Sequence, residues 1–174
     1  MILFKDWLIG DILKGRKTQT RRDWKKVQAK VGSIHLVKTQ MLSEYYLCKI
    51  RITGVRKERL GDITEEDALK EGCESVKEFI TIWKQMNGSW DPEKIVFVID
   101  FELAYSDLKP GDKVILSEEC AEYMLHGNVE WEITSNPVWW PGNEMISIER
   151  NTEHGLEGYT FFATEFLEKV EASS

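Results

Sequence analysis

The sequence predicts an α+β chain of two successive units, a strand-and-helix unit over residues 1–106 and an all-β unit over 107–174. Three observations carry this. The charge divides sharply: residues 1–106 hold 19 basic and 16 acidic side chains, a net of +3, whereas 107–174 hold 4 and 14, a net of −10. The switch falls at Ser106-Asp107-Leu108-Lys109-Pro110-Gly111-Asp112, a turn-rich stretch that reads as a linker. Helical and strand patterns mix irregularly in the first half, and short apolar runs between turns fill the second. At 174 residues the chain can bury a real core as one domain or as two small ones.

The elements follow in order. Asp6 is placed to cap a short helix in which Trp7, Leu8, Ile12 and Leu13 recur at helical spacing, and Gly15 ends it. Thr18 to Arg22 carries the β-branched content of a strand. Ile34–Thr39 and Tyr46–Val55 read as further strands, the second alternating Cys48, Ile50 and Ile52 on one face. Thr64 with Asp67, and Ser75 with Glu78, are capping-box pairs that open two helices, the second bearing Val76, Phe79, Ile80 and Trp83. Ile95 to Phe101 is the most continuous apolar strand. Helices inserted among strands without regular alternation suggest a small curled barrel, not a doubly wound sheet. In the second half Lys113–Ser117, Cys120–Leu125, Val129–Thr134, Glu144–Glu149 and Gly158–Ala163 make five short strands, the count of an SH3-like barrel.

Composition excludes several classes. The hydrophobic share of 42% and charged share of 30% suit a soluble globular protein, and no apolar run approaches the roughly 18 residues a membrane span needs. Met1-Ile2-Leu3-Phe4-Lys5-Asp6 is charged too early for a signal peptide, so a cytoplasmic protein is expected. Cys48, Cys73 and Cys120, and likewise His35, His126 and His154, are scattered without metal-ligand spacing, so neither disulfides, metal nor cofactor is expected.

One segment stands out against the net charge of −7. Gly15-Arg16-Lys17-Thr18-Gln19-Thr20-Arg21-Arg22 holds four cations and two hydroxyls, and Lys14 to Lys30 holds eight basic residues and one acidic. Such a cluster on an acidic protein points to one site for an anionic group, with Arg16, Arg21 and Arg22 as its substrate- or phosphate-binding cations.

Phe4, Ile12-Leu13 and Gly15 to Arg22 together resemble the opening signature of the ASCH domains, a branch of the PUA-like β-barrels. The resemblance continues through Ile63-Thr64-Glu65-Glu66-Asp67-Ala68 and Glu71-Gly72, and closes with Trp90-Asp91 before Ile95–Leu103. It covers residues 2–103, and the Lys-Thr-Gln-Thr-Arg-Arg form is similar to ASCH proteins of phages and prophages. The fold it implies is a PUA-like barrel with inserted helices. It implies two activities, recognition of RNA or modified nucleosides in the barrel groove, or amide hydrolysis of N4-acetylcytidine by a lysine, a threonine and a glutamate. Lys17, Thr20 and Glu71 match that trio. Gln19 and Arg21 stand where the compact hydrolases carry apolar residues, and residues 107–174 lie outside the resemblance.

The chemistry is legible from the residues themselves. A threonine hydroxyl needs a base to become a nucleophile. Lys17, crowded by Arg16, Arg21 and Arg22, is the candidate base, and Glu71 would orient it or pass a proton to the leaving amine. Arg22 or backbone N–H groups of the Gly15 turn would meet the oxyanion. Residues three apart in a strand face opposite ways, so Lys17 must precede the strand to share a site with Thr20. Each residue also has an ordinary structural explanation: a packed strand threonine, a solvated basic face, a solvated glutamate. Tyr45, Tyr46, Trp83 and Trp90 are candidate base-stacking aromatics, Trp83 at core spacing. Adjacent Trp139 and Trp140 in a strand point to opposite faces. The expected partner is therefore RNA or a modified nucleoside. The alternative is a non-catalytic RNA reader, or an adaptor binding protein through residues 107–174.

Overall fold

The computed structural model describes residues 1–43, 46–117, 129–140, 143–152 and 155–170. The chain forms two compact units, Met1–Ala104 and Tyr105–Ser174. The first is a mixed, strand-rich fold of β1 (Ile2–Leu3), α1 (Asp6–Leu13), β2 (Gln19–Arg22), β3 (Ile34–Lys38), β4 (Cys48–Arg59), α2 (Glu65–Lys70), α3 (Val76–Asn87) and β5 (Ile95–Leu103). Its sheet runs β1-β3-β4-β5-β2, with β1 parallel to β3 and the other pairs antiparallel. Cys48, Ile50 and Ile52 are buried on one face of β4, as alternation requires, and Val37 is buried on β3; in β5 the adjacent Val98 and Ile99 are both buried, so that strand is covered on both faces there.

Local sequence explains the elements that matter for the site. In α1, Leu8, Ile9 and Ile12 are buried, while Asp6 is the first helical residue and makes no capping bond, the cap position falling on Lys5. Gly15, at φ +68°, ends that turn, and the N–H groups of Arg16 and Lys17 both bond to the carbonyl of Asp11. Lys17 therefore precedes β2. In α2, Thr64 and Asp67 form the reciprocal capping box. The helix closes with Gly72 at φ +82°, the Gly72 N–H on Leu69 and the Cys73 N–H on Ala68, the paired bonds of a Schellman motif that fix Glu71 at its end. Ser75 caps α3 through the Glu78 N–H, but the Glu78 carboxylate accepts from Glu74 and not from Ser75. In β4 the register shifts between Ile52 and Gly54 against β5, a bulge that bends the long strand. Phe79 and Trp83 of α3 pack with Leu60, Ile63, Ala68 and Val96 into a core beside the sheet.

The second unit contains β6 (Lys113–Leu116), β7 (Glu130–Ile133), β8 (Val138–Trp140), β9 (Asn143–Thr152), β10 (Gly155–Ala163) and β11 (Leu167–Lys169). Its sheet runs β10-β9-β7-β6-β11, with β8 paired to β9. The stretch expected as a linker is packed into this unit. Leu108 joins the core of Val114, Leu116, Trp131, Ile133, Ile146 and Ile148, and Ser106 donates its N–H to the buried Glu144. The tryptophan that fills this core is Trp131; Trp139 lies against Tyr105, with centroids 6.4 Å apart. The expected strand Cys120–Leu125 lies outside the described residues. Among those described, no helix is long and apolar enough to cross a membrane.

Candidate functional site

β2 is the last strand of its sheet, paired on one side to β5 only. An edge strand can present side chains from both of its faces to a groove beside it. Beside β2 lies a cavity of about 250 Å³ to which Lys17, Thr20, Arg21 and Arg22 contribute from the β2 segment, and Glu71 and Cys73 from the end of α2. Phe4, Trp7, Trp24, Phe79 and Trp83 supply aromatic wall.

Lys17 is 3% and Glu71 5% exposed, although both are charged. Lys17 Nζ donates to Glu71 Oε2 at 2.7 Å and to the Glu71 backbone carbonyl at 2.6 Å. A buried pair survives only when its charges and hydrogen bonds are met together, and this geometry meets them. Thr20, also buried, accepts a hydrogen bond from Arg22 Nε at 3.1 Å. Arg22 Nη2 reaches the carbonyl of Leu3 at 2.7 Å, and its guanidinium lies 4.8 Å from the centre of the Phe4 ring. Burial holds the Arg22 guanidinium below its ordinary value, partly offset by the negative charge of Glu71.

Arg21 points into a second, polar layer. Its side chain is fully buried. Nη2 is 2.7 Å from Glu58 and 3.1 Å from Asp67; Nη1 is 2.6 Å from Gln19 Oε1 and 3.4 Å from Glu71 Oε1. Gln19 in turn donates to Asp100 at 2.7 Å, and Asp100 accepts from Arg56 at 2.9 Å. Desolvation raises the Asp67 carboxyl, but hydrogen bonds from the Thr64 N–H, Gln19 and the Thr64 hydroxyl, with the charge of Arg21, bring it below the usual value. Burial pushes the Cys73 thiol up to about 11, with Lys17 pulling the other way.

The structure thus brings Lys17, Thr20, Glu71, Arg21 and Arg22 together around one cavity. Arg16 is not among the lining residues: its guanidinium is exposed and paired with Asp11. Of the cations that read as a receptor for an anion, Arg16 is paired with Asp11 and Arg21 with Glu58, Asp67 and Glu71, while Arg22 is held by the Thr20 hydroxyl and the Leu3 carbonyl; Lys17 is paired with Glu71. The N–H groups of the Gly15 turn, candidates for an oxyanion site, bond to Ile12 and Asp11.

Trp83 lines the cavity, while Tyr46 and Trp90 are not among its described lining residues and Tyr45 lies outside the described residues. Trp7 and Trp24 are the aromatics that sequence reasoning missed. Trp7 carried a signal: three and four positions on lie Gly10 and Asp11, not apolar residues, so it faces away from the stripe of Leu8 and Ile12 and is 54% exposed. Among the described residues no group of three or more His, Cys, Asp or Glu side chains is arranged to hold a metal ion.

An edge strand and a helix end enclose a buried lysine–glutamate pair and a threonine around one cavity, on a strand-rich α+β scaffold. The chain belongs to the ASCH domain family, whose model matches residues 2–105. It is 34% identical over 105 residues to the N(4)-acetylcytidine amidohydrolase of Haemophilus influenzae (strain 86-028NP), covering 59% of this chain and 93% of that protein. Among solved structures it resembles the ASCH domain from Lactobacillus crispatus JV V101, with a TM-score of 0.44 and 19% identity over 58% of this chain and 72% of that one. A protein of Enterococcus faecalis V583 matches similarly, with a TM-score of 0.44 and 19% identity over 59% and 74% of the two chains.

Proposed function

We propose that the cavity beside β2 binds an N4-acylated cytidine and hydrolyses its amide. The observation that carries this is the buried Lys17–Glu71 pair sharing the cavity with Thr20. The similarity to an N(4)-acetylcytidine amidohydrolase over nearly the whole of that protein supports the substrate.

In this reading Thr20 supplies the nucleophile. Its oxygen already accepts from Arg22, so its own proton is the one to be given away. A proton passing from the Lys17 ammonium to the Glu71 carboxylate leaves an amine that takes the Thr20 proton as Oγ1 bonds to the acyl carbon. Arg22 meets the charge that develops on the carbonyl oxygen. A proton then moves from Lys17 to N4 as the C–N bond breaks, giving cytidine and an acyl ester on Thr20. Water hydrolyses that ester to the free acid and restores the Thr20 hydroxyl, and Glu71 returns its proton to the Lys17 amine, restoring the ammonium–carboxylate pair.

The size of the cavity, and the pairing of Lys17 and Arg21 with carboxylates of the protein itself, favour one neutral nucleoside over a polymer. About 250 Å³ lies just under the roughly 300–1,000 Å³ of ordinary ligand pockets. Trp7 and Trp24 offer faces on which a pyrimidine can stack. Binding to the Thr20→Ala protein, followed by tryptophan fluorescence at low and high salt, separates the two classes. A nucleoside site binds N4-acetylcytidine with little change between the salts. Steeply salt-dependent binding of single-stranded RNA, with none of the nucleoside, would make this an RNA reader instead.

For the second unit we propose an SH3-like barrel. Its strand path places the last strand, β11, on the first, β6, after the run β6-β7-β9-β10.

A further inference from the structure

We propose that Arg21 is a positioning residue for Glu71, holding the carboxylate that holds Lys17. This rests on the proposed function only in naming Lys17 and Glu71 as the working pair. A carboxylate bonded through one oxygen can still turn about its Cγ–Cδ bond and take its partner with it. Here the two oxygens are divided: Lys17 lies 2.7 Å from Oε2, and Arg21 Nη1 lies 3.4 Å from Oε1. The guanidinium is itself fixed from behind, by Glu58 and Asp67 on Nη2 and by Gln19 on Nη1. Gln19 is only 1% exposed and is tied through Asp100 to Arg56 at the bend of β4. The chain Arg56–Asp100–Gln19–Arg21–Glu71–Lys17 therefore runs from the surface of the sheet to the cavity. Planarity and five donors let arginine make several of these bonds at once; a lysine in its place would keep the charge but not the fork.

The test is a comparison of wild type with Arg21→Lys on the full chain, with two readouts. The first is hydrogen exchange of the Lys17 ammonium, seen by ¹⁵N NMR, which needs no substrate. The second is the split between kcat and KM for N4-acetylcytidine. Arg21→Lys should exchange the Lys17 ammonium protons about tenfold faster and lower kcat on the order of 10²-fold with KM little changed, as expected when a reacting group is displaced by about an ångström. Should the single variant fail to fold, the charge-balanced Arg21→Met/Glu58→Gln protein is measured in its place. A folded variant whose Lys17 ammonium exchanges at the wild-type rate overturns the proposal. Faster exchange in the variant, with no turnover by wild type, keeps the positioning role and removes the hydrolase reading.

Discussion

Breaking the Lys17–Glu71 pair from either side should destabilise the protein, whereas replacing both members should not. Both side chains are almost fully buried, so removing one charge strands the other in a poorly solvated place, at a cost of about 3–5 kcal/mol. The two single variants should differ. Glu71→Gln leaves the Lys17 ammonium with neutral oxygens in place of a carboxylate, the backbone carbonyl of residue 71 at 2.6 Å among them, while Lys17→Met leaves the Glu71 carboxylate with Arg21 at 3.4 Å. Glu71→Gln should therefore be the more costly. Taking about 3 kcal/mol as the lower bound and roughly 4–8 °C per kcal/mol for a unit of this size, its Tm should fall by at least about 12 °C. The double variant Lys17→Met/Glu71→Gln strands neither charge, and Arg21 keeps Glu58 and Asp67. It should lie within about 1 kcal/mol of wild type. Differential scanning calorimetry of the four proteins completes the double-mutant cycle. Losses that simply add in the double variant would refute the reasoning, because they would mean that the charges do not depend on each other.

Four further outcomes follow from local geometry. Gly54→Ala would place a Cβ 2.6 Å from Asp100 Oδ2, displacing the carboxylate that bridges Gln19 and Arg56, and should cost about 1–3 kcal/mol in urea unfolding. Gly10→Ala in α1 meets nothing within 4 Å and should stabilise by roughly 0.5–1 kcal/mol in the same assay. The folded Asp67 carboxyl lies below its ordinary value of 3.8, so its contribution is full above that pH and is lost as pH falls through the folded value; Asp67→Asn should flatten that acid-side loss in unfolding measured against pH. With its thiol pushed up to about 11, Cys73 should resist iodoacetamide at pH 8 in the folded chain and react once unfolded, as read by site-resolved mass spectrometry.

What the sequence made legible was mostly local. Thr64 and Asp67 lie three residues apart, and their capping box forms as written. Ser75 and Glu78 have the same spacing, yet only half of that box forms, because the Glu78 carboxylate reaches Glu74. Glu71 could be named from motif order alone, but its burial depends on the turn at Gly72 and on Lys17 arriving beside it from 54 positions away. The pairing of Arg21 with Glu58, Asp67 and Glu71 joins residues separated by at least 37 positions, beyond the reach of spacing rules, so its charge read as available to a ligand. β1 went unseen for a related reason. Two residues carry no period, and Ile2–Leu3 is a strand only because β3 offers it a parallel edge. The second half was legible as β through its alternation, and its 106–112 turn belongs to the fold because Leu108 has a core to enter.

The most direct measurement is the release of cytidine and acetate from N4-acetylcytidine by the full chain, followed by ¹H NMR alongside Thr20→Ala and Lys17→Ala. The account predicts equimolar products from wild type and a loss of turnover in both variants while the nucleoside still binds to Thr20→Ala. Well-folded wild type that leaves the amide intact, or Thr20→Ala protein that cleaves it at the wild-type rate, would contradict the account.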